Sequence, residues 1–218
     1  MRTTIFGGHG KIALLLAPLL VEAGHEVTSV IRNPDHVRDV EATGATALVS
    51  SLEDADTAAL TELLSGQDAV VWSAGAGGGD PARTDAVDRD AAIRSMDAAV
   101  AAGVQRYVMV SFAGASADHL VPEDDPFRRY QDAKIAADEH LRGTSLGWTI
   151  LGPGALTTDP SHGTVNPAAT SRDGDESPRE LVAQVAAAVL ADDRAVRRTL
   201  VFGKGDVAID DWLSRLPD

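Results

Sequence analysis

The stretch from Thr3 to Ala13, Thr-Thr-Ile-Phe-Gly-Gly-His-Gly-Lys-Ile-Ala, constrains this chain more than any other. A short strand-like run (Thr4, Ile5, Phe6) enters a glycine turn and leaves as an apolar helix. The spacing matches Gly8-x-Gly10-x-x-Ala13 and, overlapping it, Gly7-x-x-Gly10-x-x-Ala13, both forms of a dinucleotide-binding turn. Small residues suit it for three reasons. The turn needs positive φ, the backbone must come close to a pyrophosphate, and the helix must pack on its strand. The helix N-terminus then offers N–H groups and the positive end of its dipole to phosphates.

Strand-like and helix-like patterns alternate along the 218 residues, which predicts an α/β fold with a mostly parallel, doubly wound sheet and helices on both faces. The first helix is expected from Lys11 to Ala23, kinked at Pro18 and ended at Gly24. Glu26–Ile31, Ala45–Val49 and Ala69–Trp72 read as the next strands, with a helix over Glu53–Leu64 between the last two. The fully apolar Ala69–Trp72 is expected beside the first strand, with ligand in the crevice between their carboxyl ends. Ser73-Ala74-Gly75 and Gly77-Gly78-Gly79 follow it as a loop.

Thr84–Ala102 reads as one long helix closed by Gly103, and Tyr107–Val110 as a strand leading into Ser111. An acidic, mobile loop is expected over Gly114–Pro126, a helix over Phe127–Leu141 and a strand over Trp148–Leu151. Gly152-Pro153-Gly154 should then break the chain. Thr157–Ser177 is polar and broken by Pro160, Gly163, Pro167 and Gly174, and reads as a lid, a substrate loop or disorder. A helix over Pro178–Leu190, a strand over Thr199–Phe202 and a short helix over Ala208–Leu216 close the chain. No linker divides it, so residues 1–218 read as a single domain with a substrate or lid region at about 152–178.

Charge and composition narrow the function. A formal net charge of −14 argues against nucleic acid and against an anionic membrane surface. Cys is 0, which excludes disulfides, thiolate metal sites and a cysteine nucleophile, and suits a cytoplasmic protein. The histidines show no metal-ligand spacing, so no metal is expected. The apolar run Ile12–Val21 lacks a basic lead and a cleavage site and is too short to span a membrane; it reads as a buried helix.

Two positions speak to cofactor and chemistry. About 20 residues after the glycines, where an acidic residue would hold a ribose 2′-hydroxyl, stands Arg32, which suits a 2′-phosphate and so NADP rather than NAD. Tyr130 and Lys134 lie four apart on one helix face. A neighbouring ammonium favours phenolate, so Tyr130 can exchange a proton with a substrate oxygen as hydride moves, while Lys134 holds ribose hydroxyls. Ser111, at a strand end in the same crevice, can hydrogen-bond that oxygen.

With these residues in view, the chain resembles the atypical short-chain dehydrogenases/reductases, the NAD(P)-binding group that includes flavin/biliverdin reductase-like and NmrA-like proteins. The resemblance covers nearly the whole chain. It rests on Gly7-Gly8-His9-Gly10-Lys11-Ile12, Ser73-Ala74-Gly75, Val108-Met109-Val110-Ser111, Tyr130 to Lys134, Ala137-Asp138, and the run from Trp148 to Thr157. It implies a Rossmann fold, a catalytic set of Ser111, Tyr130 and Lys134, and an NADP cofactor. The cofactor residues it implies are Gly7, Gly8, His9, Gly10, Lys11, Ile12, Arg32, Ser51, Leu52, Ala74, Gly75, Lys134, Pro153 and Leu156. The chain departs from the group at Gly152, where arginine commonly precedes Pro-Gly, and after Leu156, where a short polar region implies a small, open substrate pocket. The expected activity is NADP-dependent hydride transfer to or from a small carbonyl, quinone or flavin-like compound, by a monomer or homodimer. The alternatives are a non-catalytic NAD(P)H-binding redox sensor and an epimerase- or dehydratase-like enzyme.

Overall fold

A computed structural model describes residues 1–77, 81–170 and 174–217. Six parallel βα steps dominate it. β1 (Arg2–Phe6) leads into α1 (Lys11–Glu22), β2 (Glu26–Ile31) into α2 (Val37–Glu41), and β3 (Thr46–Val49) into α3 (Thr57–Leu63). After β4 (Ala69–Trp72) come α4 (Pro81–Arg83), a π-helical segment (Thr84–Ala91) and α5 (Ala92–Ala102). β5 (Arg106–Val110) is followed by α6 (Arg128–Arg142), then β6 (Gly147–Pro153), β7 (Ala155–Thr157), β8 (Thr164–Asn166), β9 (Glu176–Pro178) and α7 (Arg179–Leu190). β10 (Arg198–Lys204), β11 (Val207–Ala208) and α8 (Ile209–Ser214) complete the chain.

The main sheet has nine strands in the order β11-β8-β10-β6-β5-β4-β1-β2-β3. It is parallel from β3 to β10, and β8 runs antiparallel to β10 and β11. The topology reverses between β1 and β4, so their carboxyl ends open a crevice, as the expected pairing of these two strands requires.

Alternation along each strand supplies two cores. Ile5, Val71, Val108 and Leu151 point to the face covered by α1, α7 and α8. Their neighbours Phe6, Trp72, Met109 and Ile150 point to the opposite face, under α3, α5 and α6. Burial on both sides explains why Ala69–Trp72 is apolar at every position.

Four expectations are revised. α3 starts four residues later than Glu53, because the Asp56 side chain accepts from the Ala59 N–H at 2.8 Å and caps the helix there. The helix expected from Thr84 is π-helical through Ala91 and α-helical only from Ala92, closing at a left-handed Gly103. β6 runs on through Gly152 and Pro153 and breaks at Gly154. The polar Thr157–Ser177 segment contributes β8 to the main sheet, while β9 pairs with β7. Residues 171–173 of that segment, and Gly78 and Gly79 of the glycine loop, lie outside the described residues. The loop from Gly114 to Pro126 is held down by buried Gln131: its amide donates to the Gly114 and His119 carbonyls and accepts from the Val121 N–H. No helix among the described residues is long and apolar enough to cross a membrane.

Gly154 is the tightest point of this frame. Its N–H donates to the Phe202 carbonyl and the Ser177 hydroxyl, and a Cβ placed there would lie 1.7 Å from the Asp175 carbonyl oxygen. Gly154→Ala must therefore push two backbone segments apart. It is expected to destabilise the fold by about 2–3 kcal/mol in urea unfolding. A loss below about 0.5 kcal/mol, the size of an ordinary surface change, would show that β7 and β9 are not locked as described.

Candidate active site

The glycine turn resolves its two overlapping spacings. Gly7 takes φ +79°, and a Cβ there would meet the Ala74 Cα at 2.6 Å, so β1 leaves the sheet directly against the exit of β4. Gly10 is the extended N-cap of α1, and Ala13, fully buried, seats the helix. Gly7-x-x-Gly10-x-x-Ala13 is thus the working pattern. Gly8 serves the neighbouring strand: its N–H donates to the Val30 carbonyl, and a Cβ would meet that of Ser29 at 2.5 Å. No side chain caps α1. Its first-turn N–H groups and its dipole are left facing the crevice, a setting suited to an anion.

Two cavities meet over this turn and share Ser73 to Gly77 as a common wall. The first, about 490 Å³, lies over Gly7, His9 and Gly10 and is flanked by Arg32, Leu52 and Arg83. Arg32 does not stand alone. Its guanidinium donates to Glu53 at 2.8 Å, and Arg83 reaches the same carboxylate oxygen at 3.2 Å. The His9 ring stacks on His36 at 3.6 Å and meets Asp39 at 2.9 Å.

The second cavity, about 900 Å³, extends from Ile12 between the π-helical segment and α6. Ser111, Tyr130 and Lys134 all line it, together with Ala74, Gly75 and Leu156. Tyr130 sits in an aromatic group, 5.6 Å from Phe112 and 5.1 Å from Phe127 between ring centres. The pocket is larger than the sequence implies. Its walls come from the Phe112–Phe127 loop and the π-helical segment, and among the described residues none from 157 to 177 lines either cavity.

Four of the expected cofactor residues lie off both walls. Gly8 packs on β2, Ser51 donates to Asp54 at 2.6 Å, and Pro153 is buried in β6. Lys11 borders a separate cleft of about 380 Å³ with Arg179 and Glu180.

Lys134 is 1% exposed. Its ammonium donates to the Val110 carbonyl at 3.0 Å and lies 3.5 Å from the Met109 sulfur. A buried ammonium needs countercharge, and two acids supply it. Asp138, one turn on, accepts from the Ser111 hydroxyl at 2.6 Å, and its other oxygen has no partner. Burial pushes the Asp138 carboxyl up to about 6, against the pull of Lys134, the Ser111 hydrogen bond and Arg142. Asp88, on the π-helical segment, accepts from the Ala76 N–H at 3.0 Å. Burial raises it too, opposed first by the Lys134 charge.

Neither acid was assigned a role from sequence. The signal for Asp138 was its i,i+4 spacing from Lys134. For Asp88 it was a carboxylate on the stripe it shares with buried Ala91, Ala92 and Ser95.

An uncapped helix N-terminus, a turn admitting only glycine, and two joined cavities with an ammonium and a hydroxyl at the far end fit a dinucleotide. Residues 7–193 match the NAD(P)H-binding family. The chain belongs to that family. The match covers most of the chain and agrees with the resemblance its motifs carry. The family relative YhfK of Bacillus subtilis, named an uncharacterized sugar epimerase, is 30% identical over 99% of this chain and 100% of its own length. A Bacillus halodurans structure named for the NAD-dependent epimerases/dehydratases superposes with a TM-score of 0.89 at 30% identity, over 99% of this chain and 100% of that one. A short-chain dehydrogenase/reductase from Veillonella parvula, solved in complex with NADP, shares the fold at 20% identity and a TM-score of 0.71, over 94% and 95% of the two chains.

The raised Asp138 carboxyl has a measurable consequence. Between about pH 4 and 6 the folded protein holds a proton that the unfolded chain releases, so this group lowers stability as pH rises through that window. Asp138→Asn removes this titration along with part of the Lys134 countercharge, so its stability relative to wild type is expected to improve by about 1–2 kcal/mol between pH 5.0 and pH 7.5, measured by urea unfolding. An equal effect at both pH values would contradict the raised carboxyl.

Proposed function

We propose that this NAD(P)H-binding protein is an NADP-dependent oxidoreductase acting on a small carbonyl, quinone or flavin-like compound. The observation that carries the reading is that Ser111, Tyr130 and Lys134 face one cavity continuous with the α1 N-terminus. NADPH, when bound, supplies a hydride to the substrate carbon. The chain's part is binding and proton transfer. The α1 amides take the diphosphate, and Ala74 and Gly75 let the backbone run close beside it. Tyr130 exchanges a proton with the substrate oxygen, and the buried Lys134 stands one helical turn away on the same cavity wall. Phe112 and Phe127 add an apolar, aromatic wall to the cavity beside Tyr130.

Arg32, more than half exposed, can turn from Glu53 toward a 2′-phosphate, with Arg83 beside it. We read residues 1–218 as one unit in which Leu156 is the substrate-side contribution of the 152–178 region, and place it in the cytoplasm. A second reading, an epimerase-like enzyme that uses its cofactor transiently, is favoured by the name of the B. subtilis relative and by Asp88, a further acid in the pocket.

One set of assays separates the readings. Purified protein is screened for NADPH oxidation against quinones, flavins and aldehydes beside Tyr130→Phe, which is expected to lose about 10²–10⁴-fold in kcat. Equal turnover removes Tyr130 from the mechanism. Tight NADPH binding with no net oxidation points instead to the epimerase-like reading or to a redox sensor. Arg32→Ala is expected to weaken NADPH binding by about 1–3 kcal/mol and to spare NADH. A loss equal for both would defeat the NADP assignment.

A further inference from the structure

The Ser111–Asp138 pair does more than balance charge. A serine hydroxyl has one proton to donate and two lone pairs to accept with. The proton of Ser111 points to Asp138 at 2.6 Å, the length of a hydrogen bond to an ionised carboxylate. Both residues are buried, Asp138 completely. Ser111 also lines the 900 Å³ cavity, so what it turns toward a ligand is lone pairs only.

We infer that Asp138 is a positioning residue that fixes Ser111 as a hydrogen-bond acceptor. At neutral pH the pocket therefore favours the hydroxyl-bearing (or, for a flavin-like compound, N–H-bearing) member of the carbonyl or quinone couple over the bare carbonyl. The inference rests on the oxidoreductase reading for its substrate class. The hydrogen-bond direction itself does not.

Protonation reverses the arrangement. The second oxygen of Asp138 has no partner, so an added proton is best placed on the oxygen facing Ser111. The acid then donates, the Ser111 proton is released, and the hydroxyl can turn it toward a carbonyl oxygen. Burial sets where this happens, and the charged groups around Asp138 adjust it. Lys134, Glu139 and Arg142 act from α6, and Asp88 acts through Lys134 from the π-helical segment. Asp85 is paired with Arg129 and Asp97 with His140 across the same helix, while Arg142 reaches Thr199 of β10.

Two measurements on the full chain test this. The first needs no turnover: protein carrying [4-¹³C]aspartate is titrated by NMR, and Asp138 is identified as the resonance missing from Asp138→Asn. Its midpoint is expected near 6. In Ser111→Ala it should rise by about one to two pH units, because the bond favouring the charged form is gone. A midpoint in the ordinary carboxylate range, unmoved in Ser111→Ala, overturns the inference.

The second compares NADPH-dependent reduction of 9,10-phenanthrenequinone by wild type and Asp138→Asn across pH 5.5–8.5. Asparagine carries no charge at any pH and brings an N–H donor that the carboxylate lacks. The variant should exceed wild type about tenfold in kcat/KM at pH 8, and the two should converge below pH 6. Parallel profiles overturn the inference. Turnover in neither protein removes the oxidoreductase reading instead and leaves the carboxyl titration to decide. Thermal unfolding of both variants checks that each is folded.

Discussion

The close approach of two backbones, at Gly7 and Ala74, is the constraint the rest of the structure depends on. A side chain at position 7 would have to occupy space already held by the exit of β4. Without one, the carboxyl ends of β1 and β4 stay together, α1 starts where Gly10 places it, and its unpaired amides open onto the crevice. The two cavities lie on either side of this contact, one lined by the ends of β2 and β3, the other by the end of β5 and by α6. Cofactor grip and pocket geometry are thus set by one steric fact.

The second organising feature is the buried ammonium of Lys134. Isolated in the interior it would be costly, and its bonds to the Val110 carbonyl and the Met109 sulfur offset only part of that. Asp88 and Asp138 provide opposite charge from two different elements, and both are held above their ordinary protonation range by burial. A cation between two carboxyls whose titration burial has shifted upward ties the charge of this wall of the pocket to pH.

Much of the fold was legible because strands buried on both faces leave an unmistakable apolar run, as in Ala69–Trp72, and because glycine marks the turn and the end of α5. Details that depend on tertiary partners were not. The π-helical winding from Thr84 to Ala91 has no periodic signature over so few residues. The short strand at Thr164–Asn166 is polar at two of its three positions and earns its place by pairing with β10 and β11. For the site, Ser111, Tyr130 and Lys134 on the large cavity were visible from motif spacing, while Asp88, Phe112 and Phe127 on the same wall were not. The partners that set their behaviour were not: Glu53 on Arg32, Asp138 on Ser111, Val110 on Lys134. Each is distant in sequence or lacks a motif, and only packing brings it near.

The account turns on anion capture by the amides that open α1. The most direct measurement is a ¹H–¹⁵N NMR titration of the labelled protein with NADP, read at the backbone amides of His9 to Ala13. Saturable shifts centred on these amides and reproduced by ADP-ribose, which carries the diphosphate without the nicotinamide, are the predicted result. Saturation with the changes lying elsewhere, or no saturable shift with either ligand, would contradict it.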